Sequence, residues 1–221
     1  MITGKGGREH FAELGIKNFL EQKDSYKKLL IINHGKKSLI DKYPFVNIEE
    51  IMTDETNLGK LRNIALEHIE ENSLFCPWDD DDIRHPNFLT YLRTNLVFPF
   101  SAVFLKRRFE YNLNTNYGFS SYFENGMPVF LGFKKKNWKY LEKETLEDVN
   151  IIKDLDSLGY KFLLLDNEEY YYTRIIHRNN TSPYVKKNKV KINNYSGSYK
   201  EFVLSEKKLK MLMKIISLHF P

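Results

Sequence analysis

Residues 28–33, KLLIIN, form an unbroken apolar run of strand length. A strand without polar alternation is of the kind that is buried on both faces in a parallel sheet covered by helices. Two more segments have strand length and character, VNIEEIM (46–52) and SLFCPW (73–78). Between them lie helical patterns. HFAELGIKNFLEQ (10–22) sets Phe11, Leu14, Gly15 and Phe19 on one side, KSLIDKY (37–43) predicts a short helix, and GKLRNIALEHIEE (59–71) is amphipathic at helical period. MIT reads as the end of a strand that starts almost at the first residue, and GKGG after it as a turn. Strands alternating with helices predict βαβ units and a mixed, mostly parallel central sheet.

The second half has a different texture. SAVFLKRRFEYN, YGFSSYF and MPVFLGFKK predict antiparallel strands, and YLEKETLEDVNIIKDLDSLG (140–159) predicts a helical region. YKFLLL (160–165) and EYYYTRIIH (169–177) read as two further strands, and SEKKLKMLMKIISLHF as a closing amphipathic helix. With 221 residues and 42% hydrophobic content the chain can bury one sizeable core. Residues 183–221 form a lysine-rich extension; it is compatible with a nucleic acid, an anionic lipid surface or another polyanion, or with a simple solvated face.

In α/β sheets, ligands bind beyond the carboxyl ends of the strands. That rule sets Thr3 to Arg8, Asn33 to Gly35, Met52 to Asn57 and Asp79 to Asp82 along one edge. The last group is four consecutive aspartates, closing the run SLFCPWDDDD. Adjacent carboxylates repel, and more strongly as water is excluded, so a positive partner is expected, most simply a metal ion. The single cysteine, Cys76, excludes an intramolecular disulfide and a cysteine-based zinc site. No apolar run reaches the roughly 18 residues of a membrane span, and MITGKGGREH lacks the apolar segment of a secretory signal, so a soluble, cytoplasmic protein is expected.

The succession MITGKGGREHFAELGIKNFLEQ…KKLLIINHG, LGKLRNIALEHIEENSLFCPWDDDDIRHPNFL, LED and YYYTRIIHRNNTS resembles the family 2 glycosyltransferases of the GT-A fold. The resemblance covers roughly residues 1–182 and is most specific in the spacing from the Arg-Asn helix to the Asp-x-Asp-Asp group. It implies a nucleotide-diphospho-sugar transferase fold with a smaller antiparallel acceptor side. It also implies transfer of a sugar from a nucleotide-sugar donor, of UDP type, to an acceptor hydroxyl, with inversion and with a divalent ion, Mn2+ or Mg2+.

By that pattern Asp79 contacts the ribose, Asp81 holds the metal and Asp82 assists it, with Asp80 the variable member of the nucleotide-side group. Asp148 matches the base and Glu147 its acceptor-side neighbour. Arg62 and Asn63 help hold the nucleotide, Lys60 is within reach of phosphate, and Thr3 and Arg8 line the base and ribose side. Asn33 stands where many members carry an aspartate that reads the base; an amide both donates and accepts, which leaves the base open. In RIIHRNNT, similar to an R-x-x-H-x-x-N-T run in a subset of these enzymes, Arg174 would neutralise the leaving group and His177 would reach the diphosphate or the metal.

Two other readings stay open. A metal-dependent phosphoryl-transfer enzyme or nuclease also clusters aspartates, although no glycine-rich P-loop is present. A catalytically inactive relative would only bind a polyanion. The acceptor, whether saccharide, protein or modified nucleic acid, is not fixed by the loops of the second half, nor is the oligomeric state.

Overall fold

The computed structural model describes residues 1–4, 8–115, 117–127, 132–134, 138–144, 148, 151–167, 171–177, 180 and 199–203. The first half forms a parallel sheet of order β1-β2-β3, from β1 (Ile2–Thr3), β2 (Leu29–Asn33) and β3 (Ile48–Met52). Thr3 is in register with Asn33, and Asn33 with Met52, so three strand ends line up on one edge.

Between β1 and β2 runs α1 (Glu9–Leu20), which buries Phe11, Ala12, Gly15, Ile16, Asn18 and Phe19. Its open end is closed by the Lys27 ammonium, which donates to the carbonyls of Phe19 at 2.9 Å, Leu20 at 2.8 Å and Gln22; a cation suits the negative end of the helix dipole. After β3, α2 (Leu58–Glu67) begins at an Asn57 cap whose side chain accepts from Lys60 N at 3.1 Å.

Several expectations are corrected. Residues 37–43 form bends and turns rather than a helix, gathered on the Glu50 carboxylate, which accepts from Ser38 Oγ at 2.6 Å, Leu39 N at 3.0 Å and Ile40 N at 3.3 Å. The strand expected at 73–78 shrinks to β4 (Leu74–Phe75), since Pro77 has no N–H for a ladder; only an isolated parallel bridge, Ile2 to Asp79, joins this segment to β1. A two-residue β5 (Ile83–Arg84) and a helix α3 (Phe88–Asn95) follow. Of the expected 140–159 helical region, the described residues give only α4 (Ile151–Ser157).

The remaining strands are β6 (Ala102–Leu105), β7 (Arg107–Asn112), β8 (Tyr117–Phe123), β9 (Gly132–Lys134), β10 (Phe162–Leu165), β11 (Tyr172–Ile176) and β12 (Tyr199–Val203). They build two sheets, β10-β6-β9-β4 and β12-β8-β7-β11-β5. Pairing is parallel for β6–β10 and β7–β11 and antiparallel elsewhere in these two sheets, so the architecture is mixed α/β rather than mostly parallel.

β6 is buried on both faces. Val103 and Leu105 join the core under α1 and α3, with Ile16, Phe19, Phe88 and Leu92, whereas Ala102 and Phe104 join the core under α2 and α4, with Leu66, Ile151 and Leu155. Among the described residues no helix is long and apolar enough to cross a membrane. The closing helix expected at 205–220 lies outside the described residues.

Candidate active site

The turn after β1 is pressed against the turn after β2. Gly4 has φ +112, and a Cβ there would lie 2.1 Å from Gly35 N, so only glycine permits this approach. Asn33 fixes the second turn from inside: its Oδ1 accepts from Gly35 N at 2.8 Å, and its Nδ2 donates to Lys37 O at 2.9 Å and Glu50 Oε1 at 2.7 Å. Asn33, 1% exposed, thus spends its amide on the loop itself.

The four aspartates follow the Asp79 bridge and precede β5, and each has a different environment. Asp80 is buried. Its carboxylate accepts from Thr3 Oγ1 at 3.1 Å and from the Arg8 guanidinium, while its main chain rests on Gly15, where a Cβ would come within 3.1 Å of Asp80 Cα. The position expected to vary most is therefore the one that ties Thr3, at the end of β1, to Arg8, at the start of α1.

Asp81 Oδ2 collects three donors: Arg8 Nη2 at 2.8 Å, His177 Nε2 at 3.0 Å and Asn180 Nδ2 at 3.1 Å. Burial opposes its ionisation, but the His177 hydrogen bond and the Arg8 charge prevail and hold it down to about 2. His177 is positioned by stacking on Phe11, ring centroids 4.2 Å apart, and Arg8 lies 5.2 Å over the same Phe11 ring. Asn180 is a site residue that carried no assigned role; the R-x-x-H-x-x-N spacing was its signal.

Asp82 is turned to the core. Tyr172 Oη donates to its Oδ2 at 2.5 Å and Ile175 N to its Oδ1 at 3.1 Å. Burial, then the charges of Asp81 and Asp79, push its carboxyl up to about 7. Asp79 is the most open of the four, 33% exposed, with Arg62 Nη2 at 3.5 Å.

Arg62 also lies 5.3 Å over the Tyr140 ring. Asn63, its neighbour in sequence, is a packing clip: Nδ2 donates to Tyr140 O at 3.0 Å and Oδ1 accepts from Tyr140 N at 2.7 Å. Lys60 faces solvent, 3.6 Å from Glu55. Arg174 pairs across the strands with Glu110; burial works against its charge, but Glu110 and Asp82 keep it firmly protonated. Arg84, assigned no role from sequence, is buried 4.2 Å over the Trp78 ring and donates to Asp79 O at 3.3 Å. Asp148 is half-buried ahead of α4 and its carbonyl accepts from Ile151 N at 3.1 Å; Glu147 lies outside the described residues.

The positive partners of the carboxylates are thus arginines of the chain itself. Among the described residues no group of three or more His, Cys, Asp or Glu is placed to hold a metal. A magnesium-like ion is commonly held by one or two carboxylates together with substrate phosphates and water. Asp81 and His177 would be the pair for that use once the hydrogen bond that joins Oδ2 and Nε2 at 3.0 Å is broken.

No family model matches the sequence, and no curated protein does. Among solved structures the chain is similar to S. aureus TarS, a glycosyltransferase, with TM-score 0.59 at 13% identity over 79% of this chain. It covers 36% of TarS, so it spans about a third of that protein's length. The mixed α/β arrangement of parallel strands and helices is consistent with the fold of that glycosyltransferase.

Proposed function

We propose that this chain is a GT-A glycosyltransferase that moves a sugar from a nucleotide-sugar donor, of UDP type, to an acceptor hydroxyl by inverting displacement. The observation that carries this reading is the gathering of Asp79, Asp81, Arg8, Arg62 and His177 at the edge where the β1 and β2 strands end. Its likeness in fold to TarS adds support.

In this mechanism Asp79, the open carboxylate, accepts from the ribose hydroxyls. Arg62 and Arg174 contribute fixed positive charge toward the diphosphate, with Lys60 at the solvent rim and Thr3 and Arg8 shaping the floor. Asp81 and His177 would hold Mn2+ or Mg2+, with Asn180 alongside. A divalent ion, when bound, offsets the negative charge that grows on the departing nucleoside diphosphate. Asp148 takes the proton from the acceptor hydroxyl as that oxygen attacks the anomeric carbon, and Glu147 contacts the acceptor. Asp82, with Tyr172, and Asp80, with Thr3, position Asp81 from either side. The acceptor is a saccharide, a protein or a modified nucleic acid, and the setting is the cytoplasm. A phosphoryl-transfer site usually draws its carboxylates from separate strands, whereas these four come from one turn.

The test is slow hydrolysis of a sugar-nucleotide panel with Mn2+, followed by transfer to acceptor mixtures. Wild-type protein should consume one donor class. Asp81→Ala should abolish metal-dependent donor binding, and Asp148→Asn should bind donor normally while transfer drops by about 10²-fold or more. Full-rate transfer by Asp148→Asn would remove Asp148 as the base. Cleavage of nucleic acid with no donor consumption would replace the transferase reading by the nuclease one, and polyanion binding with no turnover by the inactive one.

A further inference from the structure

Three N–H groups converge on one oxygen of Asp81, from Arg8 at 2.8 Å, His177 at 3.0 Å and Asn180 at 3.1 Å. A carboxylate oxygen has about two lone pairs, so this oxygen cannot also coordinate a cation while all three donors stay. The three are not equivalent. An imidazole offers a lone pair once its Nε2 is deprotonated, and an amide offers its oxygen after a flip. A guanidinium has no lone pair and never loses its charge near neutral pH. Arg8 is therefore the one member of this trio that cannot become a metal ligand, and it must leave Oδ2 for an ion to enter on that oxygen.

Its present location fits a stand-in for that ion. The Arg8 guanidinium spans Asp80 Oδ1 and Asp81 Oδ2 and is only 12% exposed. Phe11, which supports Arg8 from one side, also stacks on His177, so the guanidinium and the imidazole share one platform beside Asp81.

Building on the metal-dependent transferase reading above, we propose that Arg8 is an intramolecular placeholder for the divalent cation, released from Asp81 only when a nucleoside diphosphate arrives to take its charge. A phosphate group offers a guanidinium the same bidentate geometry as a carboxylate. Metal and nucleotide then bind cooperatively, each making the site available to the other, and by linkage the factor is the same in both directions. The free protein holds the ion weakly, and Arg8 passes from the protein's acid to the donor's. In this role Arg8 is a positioning residue and its effect is read in binding.

The test is titration of the full chain with Mn2+, free ion followed by electron paramagnetic resonance, with and without UDP. In wild type, UDP should tighten Mn2+ by about tenfold or more, within the usual span of coupling factors. Arg8→Met should bind Mn2+ alone about tenfold tighter than wild type and lose most of the coupling. Lys42→Met, which removes an equal charge from the surface ion pair with Glu13, is the control for general electrostatics and should move Mn2+ affinity less, with coupling retained. Arg8→Lys keeps the charge but loses the second contact to Asp80, from Nε to Oδ2 at 3.5 Å; it should fall between wild type and Arg8→Met, and it carries the test if Arg8→Met fails to fold. Mn2+ binding by the Arg8 variants no tighter than wild type or Lys42→Met, with UDP coupling intact, would overturn the placeholder and leave metal-dependent transfer standing. No Mn2+ binding by any protein, with or without UDP, would overturn both.

Discussion

Asp81 and Asp82 are adjacent, yet their carboxyls are driven in opposite directions, and each leaves its own mark on stability. The Asp82 carboxyl is raised to about 7, chiefly by burial, whereas an unfolded chain releases this proton near pH ~4. Below pH ~4 both states keep the proton and its contribution is fully present. Between about 4 and 7 only the unfolded state gives it up, so stability falls by up to ~1.4 kcal/mol per pH unit, and above 7 it levels off. Asp82→Asn should remove that slope, so that relative to wild type it gains on the order of 2 kcal/mol from pH 5 to pH 8. Urea unfolding with chelator at those two pH values checks this; parallel pH dependences in the two proteins would refute it. Asp81, held down to about 2, acts with the other sign, stabilising above pH ~4 and losing that contribution toward pH 2. Asp81→Asn should therefore flatten the acid limb of the curve and, by removing a charge that raises Asp82, shrink the fall in stability between pH 5 and 8.

At the level of elements, α2 shows how a local rule is overruled. Gly59 lies in its first turn, where an exposed helix would gain up to ~1 kcal/mol from alanine. Here a Cβ would lie 1.9 Å from Leu141 O, and Gly59 N donates to Lys143 O at 3.0 Å, so the helix start and residues 141–143 are packed backbone to backbone. Gly59→Ala should destabilise by about 1–3 kcal/mol, the range for overpacking, and urea unfolding would show the sign. It should also depress transfer, because residues 141–143 lead into the segment that carries Asp148. An alanine variant as stable as wild type would mean that the two segments part easily.

The same scale explains what the sequence disclosed. α1 and α2 were legible because their burial follows the helical period, and β2 because it is an apolar run of strand length. α3 was not, since only Phe88 and Leu92 are buried along it, too short a pattern to stand out. The strand of 73–78 read longer than it is because apolar content was counted and the missing N–H of Pro77 was not. At the site, the aspartate run and its edge were legible, but the division of labour within it was not. Asp80 is held by Thr3 and Arg8 from 77 and 72 residues away in sequence, and Asp82 by Tyr172 from 90, distances over which no local pattern carries information.

Across the whole molecule, two features join distant parts of the chain: β6, buried between the two cores, and β12, the edge of the five-stranded sheet. The second was hidden in the lysine-rich stretch after residue 182. Its five residues pair antiparallel with β8 in register from Tyr199–Phe123 to Val203–Phe119. β8 pairs in turn with β7, and β7 with β11, the strand that carries Arg174 and is followed by His177. Loss of β12 leaves β8 as an open edge, a template for pairing with other chains. A chain ending at residue 182 should thus melt lower than the full chain by roughly 4 °C or more, taking ~1 kcal/mol as about 2–4 °C for a protein of this size. It should also self-associate in size-exclusion chromatography at concentrations where the full chain does not. Because β12 is two strands removed from β11, the Mn2+ and UDP affinities of the folded fraction should change less than the melting temperature implies. A truncated chain with unchanged melting and elution would show that β12 adds nothing to the sheet, whereas one that melts normally but loses UDP would place the lysine-rich stretch at the site itself.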